Sequence, residues 1–264
     1  MSSRRIDCLS AETVETLYLL GEQQRIVGIS GFARRPPRAW REKPRIAAFA
    51  SARIDAILTL EPDLVLGFSD IQADIAAELI RRGVPVHVFN HRSVDGIFAM
   101  IRMLGAMVNA SERAASLIAE LQAGLRALAA AAVSLCRQPR VYFEEWNEPL
   151  ISSIRWVSEL IELAGSENCF AELARAPLAR QRIIADPMEV LRRNPDIISG
   201  SWCGKRFRPE QVAARPGWGR IVAVRAGQLH EIDSDHILQA GPAALTAVVR
   251  QIHAVIRRWS ECIS

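Results

Sequence analysis

Short apolar runs alternate with amphipathic stretches along this chain, the pattern of an α/β protein. Residues 25–29, 64–67 and 86–89 read as strands, and 54–60 and 71–82 as helices. Pro62 ends the first helix, and Gly83 is the stop signal of the second. Ser93 can cap a helix over 94–107. Residues 109–132 then run without proline and with one glycine, Gly124. Leu117, Leu121, Leu125 and Leu128 lay one apolar stripe on that segment, which predicts a single helix roughly 35 Å long at ~1.5 Å per residue. After Pro139 the alternation restarts. Strands are expected at 140–143, 196–199, 221–224 and 229–232, and helices at 157–163, 187–192 and 242–259, the last with Pro242 near its start.

The two halves echo one another. Ile54 to Leu66 holds a short helix, then Pro62-Asp63, then an apolar strand, and Pro187 to Ser199 repeats the order around Pro195-Asp196. The Asp after each Pro is expected to cap or to turn the chain into the strand. The long helix lies between the copies. The expected architecture is therefore two similar α/β lobes joined by a single long α-helix: an N-terminal lobe over 1–108, a linker helix over 109–133 and a C-terminal lobe over 134–264.

Composition narrows the class. Half of the 264 residues are hydrophobic and 23% are charged, which suits a globular chain with a large core. The net charge is +4, and all but Lys43 and Lys205 of the basic residues are arginines. No basic run exceeds two residues, so a nucleic-acid partner is not expected. Cys8, Cys136, Cys169, Cys203 and Cys262 are scattered without a C-x-x-C pair, which argues against a structural zinc site or a disulfide framework. Asp7, Glu12 and Glu15 interrupt the first apolar stretch, so neither a signal peptide nor membrane insertion is expected, and the chain as written reads as cytoplasmic, or periplasmic if a signal was removed.

Several segments in order resemble the class III substrate-binding proteins of ABC importers, which take cobalamin, siderophores and haem. They are Ser10 to Gly21, Arg25 to Ser30, Leu60-Glu-Pro-Asp-Leu-Val-Leu66, Gly83-Val-Pro-Val86, Leu160 to Gly165, Asn194-Pro-Asp-Ile-Ile198 and Ala223 to Gly227. Arg140 to Leu150 and Ser201-Trp-Cys-Gly204 are most similar to the cobalamin-binding branch. The resemblance implies two Rossmann-like lobes with the ligand between them and no catalytic cofactor.

The resemblance also implies a ligand site. Its two first-lobe aromatic positions fall on Phe49 and Phe68, and Phe32 is counted with them. The second lobe's ligand-contacting acid falls on Asp235, and Gln239 stands where the family has an arginine. Glu145, Trp146 and Trp202 follow or end strand-like segments where cleft loops would emerge; packing is the alternative for each aromatic. Such residues suit a corrinoid, a wide apolar disc fringed with amides. His236 is the candidate axial ligand to cobalt, with Asp235 beside it, and Cys203 a possible soft ligand. The two permease-docking acids of the family correspond to Asp55 and, displaced by one position, Glu189.

No nucleotide-binding, zincin or nucleophile-elbow motif is present, and the cluster Glu144, Glu145 and Glu148 reads as a polar cleft rim rather than an acid–base pair. The expected function is a non-catalytic binding protein for a cobalamin-type corrinoid, a cytoplasmic corrinoid-handling protein. The alternatives are an importer receptor for cobalamin, ferric siderophore or haem, with an ABC permease as partner, and an enzyme acting on a corrinoid.

Overall fold

A computed structural model describes residues 4–261. The chain divides into two compact units. The first runs through His91 and adds Asp95–Leu121 and Gln239–Pro242; the second holds Arg92–Val94, Gln122–Leu238 and the chain from Ala243. The linker helix forms over Ser111–Val133. It is not a separate body: the units divide it after Leu121. Its first half packs so closely on the preceding helix that a Cβ on Gly105 would lie 2.4 Å from that of Ala114. The buried stripe is Ala114, Ile118, Leu121, Leu125, Leu128 and Ala132, so Ile118 takes the place expected for Leu117. By length and composition the helix could cross a membrane. Six residues of its stripe are buried against protein.

Unit one is a parallel five-stranded sheet, β1 (Ile6–Cys8), β2 (Ile26–Ser30), β3 (Arg45–Ala47), β4 (Leu64–Phe68) and β5 (Val86–Phe89), in the order β3-β2-β1-β4-β5. The order reverses beside β1, so the loops after β1 and β4 flank the topological switch point, where open α/β sheets bind ligands. In unit two, β6 (Arg140–Asn147), β7 (Leu150–Ser152), β8 (Glu167–Asn168), β9 (Ile197–Gly200) and β10 (Leu229–Glu231) form a sheet in the order β10-β9-β6-β7, with β8 also on β6. Only β7 runs antiparallel there.

The echo between the halves is structural. Helices Ile54–Thr59 and Met188–Arg193 each lead through Pro-Asp into a strand. The residue before each Pro has a positive φ, 46° at Glu61 and 45° at Asn194. The aspartates stitch sideways rather than capping their own strands. Asp63 accepts the N–H groups of Arg4 and Arg5 at 2.7 and 3.2 Å, at the start of β1, and Asp196 accepts that of Arg140 at 2.9 Å, at the start of β6.

Two expected elements differ. Residues 221–224 were expected as a strand, but Val222–Arg225 is one helical turn, because Asn194 Oδ1 accepts the Val222 N–H at 2.9 Å and starts it. A four-residue apolar run has no period that tells the two apart. The terminal helix is Val249–Glu261, preceded by a π turn over Ala244–Val248. Cys262 lies outside the described residues.

On β1, Asp7 is fully buried and neither carboxylate oxygen has a hydrogen-bond partner. A Cβ on Gly28 of β2 would come within 2.5 Å of Asp7 Oδ1, which is why glycine stands there. Burial pushes this carboxyl from 3.8 up to about 7, against the pull of Arg5. The unfolded chain ionises first, so deprotonation favours unfolding as pH rises from about 4, and the loss levels off above about 7. The shift corresponds to about 4 kcal/mol at most. Denaturant titrations should therefore show that the stability of wild type relative to Asp7→Asn falls between about pH 4 and pH 8. A pH-independent difference would refute an uncharged Asp7.

Candidate functional site

The carboxyl edge of unit one gathers the three predicted phenylalanines. Phe32 follows β2 and Phe49 follows β3, and both are exposed, at 41% and 44%. Phe68 ends β4, is buried, and meets His91 edge-on with ring centres 5.2 Å apart. The His91 Nε2 lies 2.8 Å from the Ala240 carbonyl. Gln239 Nε2 donates to the Phe32 carbonyl at 3.4 Å. Gln239 thus belongs to the first unit, not to the second lobe as expected. The segment after Leu238 packs here, where a Cβ on Gly241 would lie 2.5 Å from that of Glu12.

Three further residues shape this edge, and sequence reasoning missed them. The buried Gln72 accepts the Phe68 N–H at 2.9 Å and donates to the carbonyls of Leu9 at 3.0 Å and Phe49 at 3.1 Å. Ile71 beside it is exposed. Trp40 donates its indole N–H to the Gly31 carbonyl at 3.0 Å, and the Arg45 guanidinium lies 4.1 Å from its ring centre. No periodic signal marks any of them; Gln72 sits in an ordinary turn sequence, Ser69-Asp-Ile-Gln72. Asp55, the first expected docking acid, is exposed in the first turn of Ile54–Thr59.

The second unit treats its predicted residues differently. Glu144 is fully buried, so it is no cleft rim. Arg215 grips it with two hydrogen bonds, at 2.6 and 2.8 Å, and the Tyr142 hydroxyl and Trp202 Nε1 donate to it at 3.1 and 2.9 Å. Trp202, expected as a ligand wall, is therefore a core residue, packed with Phe207 and Trp218 in one apolar cluster. Its indole N–H can be buried because Glu144 accepts it. Glu145 is held by Arg182 at 2.5 and 2.9 Å and accepts the Ile154 N–H at 3.1 Å, so its role here is structural. Trp146 is half-buried, with Lys205 Nζ 4.0 Å from its ring centre and its indole N–H on the Glu148 carbonyl at 2.8 Å.

Asp235 and His236 share the turn Ser234–Ile237. His236 Nδ1 faces Asp233 Oδ2 at 3.4 Å; the expected neighbour, Asp235, instead gives its backbone N–H to Asp233 Oδ1 at 2.9 Å. Cys203 is exposed, yet partial desolvation and the charges of Glu145 and Asp235 raise its thiol pKa, which keeps it protonated. Among the described residues no three His, Cys, Asp or Glu side chains are grouped to hold a metal ion. Glu189 is occupied as well: Arg192 binds one oxygen at 2.7 Å and Arg193 the other at 2.9 Å.

The buried Glu144–Arg215 pair supplies a direct test. Removing one partner of such a pair strands a charge and costs ~3–5 kcal/mol, whereas removing both costs far less. Urea titrations should show Arg215→Met strongly destabilised and Glu144→Gln/Arg215→Met partly restored. Additive losses would show that the two do not act as a pair.

The periplasmic binding protein family matches residues 6–236. The vitamin B12-binding protein of Pectobacterium carotovorum is 25% identical over 255 residues, covering 92% of this chain and 85% of its own length. Among solved structures, the periplasmic vitamin B12 binding protein of Vibrio cholerae has a TM-score of 0.77 at 22% identity and covers 98% of each chain. A periplasmic heme-binding protein from Roseiflexus sp. RS-1 has a TM-score of 0.80 at 22% identity, covering 98% of this chain and 100% of its own. At these identities the two structures speak for the fold alone.

Proposed function

We propose that this chain, which belongs to the periplasmic binding protein family, is the substrate-binding component of an importer and takes a cobalamin-type corrinoid. The observation that carries the ligand class is the carboxyl edge of unit one: exposed Phe32 and Phe49 follow β2 and β3, and Phe68 ends β4, which flanks the switch point of the parallel sheet. Flat apolar rings suit the face of a macrocycle. The relative of that name, covering nearly the whole chain, favours a corrinoid over other chelates. The family's description is of periplasmic proteins, and nothing in the relatives supports the cytoplasmic corrinoid-handling role expected from the sequence.

Titration with cyanocobalamin, followed by absorbance, tests the ligand, with haemin as the competing arm. Saturable binding of cyanocobalamin is expected. Phe49→Ala and Phe68→Ala should each weaken it by ~5- to 150-fold, the ~1–3 kcal/mol of a ring that covers a ligand. Trp202→Phe should alter stability more than affinity, since Trp202 is core. Binding of haemin alone would overturn the corrinoid reading.

We also propose His236 as the axial ligand to cobalt, oriented by Asp233. The visible spectrum of bound aquocobalamin should then differ between wild type and His236→Ala. Identical spectra throughout would eliminate ligation.

An ABC permease is the partner this family membership implies, and the proposed docking is lopsided. Asp55 offers an exposed acid, while Arg192 and Arg193 already neutralise Glu189.

A further inference from the structure

We infer that Gln72 is the positioning residue of the first unit's ligand face, one buried amide that sets the placement of Phe49 and Phe68 together. The inference rests on the reading of that face as the corrinoid platform.

A parallel sheet leaves backbone groups unpaired at its carboxyl edge, and loops departing there have no ladder to hold them. The Gln72 side chain joins the chain around three different strand ends. Its Oε1 takes the N–H of Phe68 at the end of β4; its Nε2 gives one hydrogen to Leu9 after β1 and the other to Phe49 after β3. Both amide hydrogens and the oxygen are used, and the side chain is buried.

The local backbone is bent to bring it there. Ser69 has φ of +66°, a strained value for a residue with a Cβ. Its N–H goes to the Phe89 carbonyl at 2.7 Å, and its Oγ accepts the Ile71 N–H at 3.3 Å. The turn folds Gln72 back under β4, where a Cβ on Gly67 would touch Gln72 Oε1 at 3.0 Å. The Phe49 backbone is thereby fixed while the residue stays 44% exposed. An exposed aromatic on a tethered backbone is pre-organised for a flat ligand, because little ordering remains for binding to impose.

Gln has the required chemistry and its near-isosteres do not. Gln72→Met keeps the volume and loses all three hydrogen bonds. Gln72→Glu, when ionised, keeps the acceptor for Phe68 N–H but turns an oxygen toward the Leu9 and Phe49 carbonyls.

The test combines amide hydrogen exchange of the unliganded protein with cyanocobalamin affinity. In Gln72→Met the Phe68 amide should lose protection, while Val65 and Ser69, bonded to Pro85 just before β5 and to Phe89 at its end, should keep theirs. Affinity should fall ~5- to 50-fold, the scale of a lost set of buried hydrogen bonds. In Gln72→Glu the Phe68 amide should stay protected, yet affinity should still fall, because the Phe49 tether is gone. Wild-type affinity in both variants overturns the inference. So does loss of protection at Val65 and Ser69 along with Phe68, which marks a general role in folding. If wild type itself does not bind cyanocobalamin, the corrinoid reading fails, and the positioning role is decided by the exchange data, which need no ligand.

Discussion

Parallel strands that stop side by side leave their last backbone groups facing loops, and those groups must find partners if they are buried. The first unit solves this with one side-chain amide. Gln72 joins the chain after β1, β3 and β4, so the edge is ordered while its aromatic rings remain available. The second unit solves a related problem with charge. Glu144, on the strand that centres its sheet, collects Arg215, Tyr142 and Trp202, and its carbonyl takes the Ser201 N–H at 2.9 Å. A carboxylate with no exposure is tolerable only with so complete a set of donors.

The two units therefore share a plan and diverge in chemistry. Asp63 and Asp196 perform the same stitch at the start of β1 and β6, each after a positive-φ residue and a proline. Beyond that, unit one presents apolar rings, whereas in unit two Trp202 and Glu145 are drawn into the interior and into ion pairs. Asp7 is the counterpoint, a buried carboxyl without partners that is kept uncharged by its surroundings up to about pH 7.

Arginine decides much of what remains free. Glu145 and Glu189 each looked available by sequence position, and each is claimed by a guanidinium fork or pair of forks. Arg45 covers the Trp40 ring in the same way. In a chain whose basic residues are nearly all arginine, an acid or an aromatic is available to a partner only where no arginine reaches it.

The sequence by itself determined the alternation of strand and helix, the Pro-Asp echo and the long helix, because periodicity and breakers act over a few neighbouring residues. The family resemblance singled out Phe49 and Phe68, and local patterning put Phe68 at the end of a strand, whereas β3, the strand before Phe49, went unpredicted because three residues are too few for a period. Only the tertiary structure decided that Trp202 is core, that Gln239 joins the first unit and that Gln72 ties three loops. Those outcomes depend on what lies opposite a side chain once distant segments meet: Glu144 is 58 residues from Trp202, and Leu9 is 63 from Gln72. Hydrophobic patterning carries no information about which buried polar group will find a partner at that separation.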